Sequence, residues 1–484
     1  MIRTIWAELQ RDATEEDLGV NLPAEIAYGM AICQRFLWEN MRFRSTGKIG
    51  HSSTNVFTGR LLTGALDLSR LTGAVQYLTD IHDVLRMRLS DSGETPSLIV
   101  AGSARAPVSF IDISASADDA AQVTQLSHTI IAAVTGQSFD LVAGSLWRFT
   151  IIRLAAESHV ICLCLNHLLV DGPSAEMLMS QLGAVYSGGV IAPRPASYAQ
   201  FATRAYPAGA GQFWVSEAEA AGYRGTAVDA PADSSGPHTV AWRSHSVQFG
   251  DDVPILADGA MRRFRWTPYM VHASAYCAAL ARVFGRSSFV VGGAVYRGDL
   301  APTPTSVGCY LDIAYFLYRD APEATVNELV RGVRDAFLRG IENLSSKRSI
   351  IADINFAGDV SRVPAGTVFH DVWIRGELGL GADRATTGFS GLDVEVILRP
   401  ADPSCRVITR PYEVWLYSKK LMPGLSLTSA DGKSAYIRAN MSAHSRDLVQ
   451  DISLAYRNVL LAMDDPENKL PDVRERDGRY ELYP

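Results

Sequence analysis

Cysteine is scarce and unpatterned. Of 484 residues only six are Cys (Cys33, Cys162, Cys164, Cys277, Cys309 and Cys405), and no two form a CxxC pair or a zinc-ligand spacing. Zinc modules and dithiol redox motifs are thereby excluded, and buried thiols are the expectation. Cys162 and Cys164 share one face of an apolar strand pattern, where side chains diverge poorly for a disulfide, so packing is their expected role. Positive charge is also in short supply. Lys and Arg number 45 against 52 Asp and Glu, a net charge of −7, which leaves no basic field for a phosphate backbone and argues against a nucleic-acid partner. No apolar run approaches the ~20 residues of a membrane helix, and the segment Met1 to Gln10 becomes charged before any signal-like stretch develops. A cytoplasmic protein without a membrane partner is expected. Walker, GxSxG, HExxH and Rossmann glycine patterns are missing as well, and Ser390 in Gly388-Phe-Ser-Gly391 is no nucleophile elbow, so neither a bound cofactor nor a metal is expected.

What the chain does have is apolar residue, 47% of the total, which at this length suits two well-filled cores rather than one. The run His159-Val-Ile-Cys-Leu-Cys-Leu-Asn166 reads as a strand buried on both faces, paired as a hairpin with Trp147 to Leu154 through a turn at Ala155 to Ser158. At its end stands Asn166-His-Leu-Leu-Val-Asp-Gly172, and Pro173 then suits the first turn of a helix. The spacing HxxxDG therefore puts an imidazole at a rigid strand tip, as a positioned general base requires. Asp171 is expected to point inward, where a carboxylate is costly unless a cation neutralises it. Gly172 leaves the backbone open for close approach. His82 and His272, one before a core strand and one in an apolar helix, are expected to be structural.

The stretch Ser138-Phe-Asp-Leu…Gly-Ser-Leu-Trp-Arg, the HxxxDG loop and the helix ending at Tyr186 together resemble the condensation-domain superfamily of non-ribosomal peptide synthetases, with its PFDL…GPLLR…HHxxxDG order. Other segments occur in the same order. Gly64-Ala-Leu-Asp67 with His82-Asp-Val-Leu-Arg86 is similar to the family's G-x-L-D…H-x-x-L-R. Ser197-Tyr-Ala-Gln-Phe201 with Gln212-Phe-Trp214 is similar to its lobe-bridging segment. Arg297 followed by Val307-Gly-Cys-Tyr-Leu-Asp312 is similar to an arginine preceding VG-x-x-x-N. The resemblance runs from about Leu22 to Met463. Two positions depart from it: Asn166 replaces the first of the paired histidines, and Asp312 stands where asparagine is common, adding a possible negative charge beside the tunnel.

The resemblance implies a mixed α/β (α+β) fold of two chloramphenicol-acetyltransferase-like lobes in a V-shaped pseudo-dimer with a central tunnel. A thioester on the phosphopantetheine arm of an acyl or peptidyl carrier protein, or on coenzyme A, would enter from one side, and a small amine or alcohol from the other. Both would meet at His167, either as general base or as a positioning group. Gly172 would offer its N–H to the oxyanion or serve a steric need. Asp171, Asn166, Arg297 and Arg86 would be structural, with Arg297 the expected partner of Asp171 and Arg86 the second candidate, and Asp312 would lie near the tunnel. An imidazole in such surroundings, with an ordinary pKa of about 6.5, is expected to stay neutral at cellular pH. The expected activity is amide-forming acyl transfer from a carrier protein supplied in trans. Alternatives are ester formation, a coenzyme A dependent transferase of the same superfamily, and an inactive recruitment domain. The plant branch is disfavoured by the missing DFGWG motif. The expected organisation is an N-terminal lobe over 1–186, a connector over 187–237, a C-terminal lobe over 238–463, and a tail over 464–484 that is poorly packed or a docking strip.

Overall fold

Strand and helix alternate along the chain in a computed structural model that describes residues 26–31, 33–35, 37–38, 55–90, 96–115, 120–204, 210–223, 244–248, 252–358, 370–374, 389–397, 426–429, 436–440, 446–470, 472–476 and 479–483. The elements begin with β1 (Ile26–Tyr28), β2 (Asn55–Thr63), α1 (Leu68–Ile81), β3 (Met87–Leu89), β4 (Leu98–Val100), β5 (Val108–Asp112), α2 (Ala120–Gly136), β6 (Trp147–Ala155), β7 (Ser158–Asn166), α3 (Gly172–Tyr186) and α4 (Ala199–Ala202). They continue with α5 (Ala210–Ala220), β8 (Ser244–Gln248), α6 (Asp252–Phe264), α7 (Pro268–Phe284), β9 (Ser288–Tyr296), β10 (Leu311–Arg319), α8 (Val326–Glu342), α9 (Lys347–Phe356) and β11 (His370–Ile374). The last are β12 (Asp393–Ile397), β13 (Ser426–Ser429), β14 (Tyr436–Asn440), α10 (Arg446–Ala462), β15 (Asp472–Arg476) and β16 (Arg479–Tyr483). The segment Tyr412 to Ser418, whose sequence pattern predicts a strand, and Asp431-Gly432, which predicts a hairpin turn, lie outside the described residues, as do Cys405 and the segment Met1 to Gln10.

Two compact units result. The first gathers Met1–Arg204, Tyr296–Leu311 and Gly381–Ser418. Its five-stranded sheet runs β12-β2-β7-β6-β5. β7 is buried from His159 to Asn166 and pairs antiparallel with β2 on one side, from Asn55↔Asn166 to Thr63↔Ser158, and with β6 on the other. An unbroken apolar run is what a strand with paired edges and covered faces requires, and α2 and α3 supply the cover. Trp147 on β6 is 2% exposed and its indole N–H still finds an acceptor, donating to Leu85 O at 2.7 Å. A second, three-stranded sheet has the order β1-β4-β3. α1 starts at Asp67, whose carboxylate accepts from Arg70 N at 2.9 Å, an N-cap that supplies a partner for one orphan amide.

The second unit comprises Ala205–Val295, Asp312–Leu380 and Lys419–Pro484. Its sheet has the order β10-β9-β11-β13-β14-β8, with β11 parallel to both β9 and β13, and β14 antiparallel to β13 and β8. α7 is buried almost all round because α6, α8 and α10 pack on it. Thr267 caps α7 with Pro268 in its first turn, and Gly285 ends it at φ 60°, a left-handed conformation that favours glycine. α8 opens with a capping box formed by Thr325 and Glu328. Farther along α8, a Cβ at Gly340 would collide with the Tyr315 carbonyl on β10, so only glycine permits this helix-to-sheet approach.

The expected division ran contiguously along the chain, whereas both units are discontinuous. Tyr296–Leu311, expected in the C-terminal lobe, belongs to the first unit, and β12 pairs with β2 from Asp393↔Thr63 to Ile397↔Gly59. The described residues from Asp464 make specific contacts within the second unit. Val326 N and Asn327 N donate to the Asn468 and Pro466 carbonyls, Thr325 bridges Lys469, Leu470 is buried, and β15 and β16 form an antiparallel pair.

Candidate active site

The site grows from the end of β7. Asn166 still pairs in the sheet, and its side-chain oxygen accepts from Leu168 N at 3.0 Å, which bends the chain off the strand. Gln34 Nε2 donates to Leu168 O at 2.6 Å. Leu168, Leu169 and Val170 are fully buried, so the turn is pinned by packing as well as hydrogen bonds. His167 is held at its centre and is only 3% exposed. Burial lowers its pKa to about 4, outweighing the backbone hydrogen bonds at His167 and Val170 that favour the protonated ring. The imidazole is therefore neutral at pH 7 and able to accept a proton.

Asp171 ends the turn as the N-cap of α3, fully buried. One carboxylate oxygen accepts from Ser174 N at 2.9 Å and the other from Tyr310 N at 2.7 Å. The Asp171 N–H donates to Gly308 O at 3.1 Å, and Gly308 N donates to Ser174 Oγ at 3.1 Å. Residues 308–310 are thus strapped across the start of α3. Burial raises the Asp171 pKa to about 6, while hydrogen bonds from Ser174, Tyr310 and Leu311 pull it down.

The cation expected beside Asp171 is not its partner. Arg86 is occupied by the carbonyls of Thr79, Asp80, His82 and Ala101, and Arg297 pairs through its backbone N–H with Tyr310 O. Uncharged donors take the cation's place, which is cheaper than desolvating a guanidinium along with the carboxylate. Gly172 is buried as the first residue of α3, so its amide stands among the orphan N–H groups of a helix start. Asp312 belongs to the second unit, is 8% exposed, and accepts from Ile313 N at 2.8 Å. His82 bonds Gln181 at 2.6 Å, and His272 bonds Tyr456 inside the second unit. Cys162 and Cys164 are fully buried on β7.

Three contributors have no place among the residues expected from sequence. Ser174 could have been found, because Asp-x-x-Ser around Pro173 is an N-terminal helix signal. Tyr198 and Cys309 could not, since they depend on long-range contact. Tyr198 Oη donates to Cys309 O at 2.7 Å, its ring occupies the space a Cβ at Gly308 would need, and its N–H is held by Asp83 at 2.9 Å. Cys309 Sγ lies 3.8 Å from His167 Nδ1. Among the described residues no group of His, Cys, Asp and Glu is arranged to hold a metal ion, and no helix is long and apolar enough to cross a membrane.

This mixed α/β architecture is that of solved condensation domains. The condensation domain from the Monacolin K polyketide synthase MokA superposes with a TM-score of 0.67 at 17% identity, covering 93% of this chain and 100% of that one. The X-domain in its complex with OxyB from teicoplanin biosynthesis gives 0.67 at 17% identity, over 93% and 98%. The SgcC5 protein from Streptomyces globisporus gives 0.64 at 17% identity, over 90% and 100%. The condensation-domain family model matches residues 40–345, and the chain belongs to that family. Tyrocidine synthase 2 of Brevibacillus parabrevis is 24% identical over 319 residues, 63% of this chain, and surfactin synthase subunit 1 of Bacillus subtilis (strain 168) is 22% identical over 403 residues, 78% of it. The chain spans only 8% and 11% of the lengths of these two relatives.

Proposed function

We propose that this chain is a condensation-type acyltransferase that moves an acyl or aminoacyl group from a carrier-protein thioester to an amine, working in the cytoplasm. The observation that carries the reading is the neutral, immobilised His167 on the HxxxDG turn of a condensation-family chain. The amine nitrogen attacks the thioester carbonyl, the C–N bond forms, and the C–S bond breaks. His167 accepts the proton lost by the nitrogen and returns it to the departing pantetheine sulfur, leaving amide and free thiol. The thioester supplies the driving force, so orientation and one proton-transfer group suffice. The Gly172 N–H, at the positive end of α3, is the donor proposed for the oxyanion. Asp171 holds the turn and takes no proton in the reaction.

The test offers one acyl group on a phosphopantetheinylated carrier protein and on coenzyme A, each with an amine and with an alcohol, and weighs donor and product by intact-mass spectrometry. Amide product from the carrier-bound donor, lost in His167→Ala, supports the reading. Product only from coenzyme A, or only ester, moves it to the neighbouring chemistry. Carrier that stays loaded under every condition refutes transfer.

A further inference from the structure

Cys309 has no role in the reaction just described, yet everything around it fixes where its sulfur lies. Its two chain neighbours are bound to the α3 start, Gly308 through its N–H and its carbonyl and Tyr310 through its N–H on Asp171. Its own carbonyl accepts from Tyr198 Oη at 2.7 Å and from Cys33 Sγ at 3.1 Å. The residue is fully buried, and the sulfur is brought to 3.8 Å from His167 Nδ1. Such a distance is a normal one for a weak sulfur hydrogen bond, and a thiol can serve as donor or acceptor. The two nitrogens of an imidazole lie on different edges, so a contact that holds the Nδ1 edge also sets where Nε2 points.

We propose that Cys309 is a positioning residue for His167: its thiol, carried on a backbone clamped by Asp171, Ser174 and Tyr198, holds the Nδ1 edge of the imidazole and, together with the backbone hydrogen bonds at His167 and Val170, fixes the ring's rotation and tautomer for proton transfer at Nε2. The carboxylate of Asp171 then acts on the reaction at one remove, through the strap that delivers the sulfur. The kinetic part of this inference rests on the acyl-transfer reading, while the placement of the ring does not.

The experiment uses the full chain labelled with [15N]histidine, with the His167 ring signals among the ten histidines assigned by their loss in His167→Gln. In wild type the ring nitrogens give the pattern of a single neutral tautomer. Cys309→Val, which keeps the core filled, and Cys309→Ala both convert it to a mixture or an exchange-broadened pair, while Cys309→Ser keeps the wild-type pattern. In transfer assays Val and Ala lower kcat on the order of 10- to 100-fold with KM little changed, and Ser recovers most of the loss. A wild-type ring spectrum in soluble Cys309→Val overturns the inference, whatever the enzyme's activity. Acyl mass accumulating on Cys309 during turnover overturns it too, by making the thiol a nucleophile. Failure of the wild type to transfer any acyl group falls on the proposed function alone, since the ring spectra still decide the placement.

Discussion

Replacing Asp171 by Asn removes a charge while keeping the shape of the side chain, and the structure sets the size and sign of the change in stability. The carboxyl has a pKa of about 6 in the fold against an ordinary value of 3.8. Because the folded state holds the proton more tightly, the favourable contribution of that proton is fully present below 3.8 and is lost as pH rises through 6. At pH 7.5 the ionised group therefore carries its whole burial cost, about 3 kcal/mol for the gap between the two values. At pH 5, one unit below the folded value, wild type recovers about 1 kcal/mol of it. An Asn at 171 does not titrate. Its oxygen can serve Ser174 N or Tyr310 N, but its NH2 cannot accept from the other, and an orphaned buried amide costs about 1–3 kcal/mol. At pH 7.5 that loss offsets between about a third and all of the relieved charge, so the variant is level with wild type in stability or up to about 2 kcal/mol above it. Between pH 7.5 and 5 wild type gains about 1 kcal/mol over the variant. The assay is denaturant and thermal unfolding of both proteins at the two pH values. Other perturbed carboxyls, raised at Asp83 and Asp353 and lowered at Asp112 and Asp252, are common to both and cancel in the difference. A difference that stays flat with pH, or that moves toward the variant in acid, refutes the picture of a buried carboxylate held by uncharged donors.

The same geometry gives two further expected outcomes. With His167 lowered to about 4, transfer measured at constant free-base amine keeps nearly its full rate from pH 7.5 down to 5.5, since the ring stays neutral; an imidazole of ordinary pKa would cost about tenfold by pH 5.5, and that decline in the pH–rate profile would contradict the effect assigned to burial. Gly308→Ala forces a Cβ into the Tyr198 ring and is expected to destabilise the protein by about 1–3 kcal/mol, read as a lowered melting temperature, whereas an unchanged melt would mean the ring moves freely aside.

Local pattern carried the site's frame into the sequence, and distance along the chain hid its support. The hairpin of β6 and β7 was legible because β7 is apolar without interruption from Val160 to Leu165 and because the turn between the strands is short; it extends from Trp147 to Asn166 with one residue more on each strand at the turn than expected. The α3 start was legible from Pro173, and a helix begins there one residue earlier, at Gly172. An arginine beside Asp171 is what charge alone suggests, but backbone amides of Tyr310 and Ser174 have no sequence signature as partners. The same limit explains the units. Tyr296–Leu311 looks like a continuation of the second unit because it comes directly after β9, and only the bonds from 308 and 310 to the α3 start show that it belongs with the first. Cys309 has the sequence character of one more buried thiol, and only the strap sets it beside His167.

A neutral His167 carrying the proton of acyl transfer is the central claim. Its most direct measurement is the single-turnover rate at which an acylated carrier protein loses its acyl group to saturating amine, for wild type and for His167→Ala of matched melting temperature. The predicted loss in the variant is on the order of 100- to 10,000-fold. A His167→Ala protein that unloads the carrier at the wild-type rate would contradict the claim.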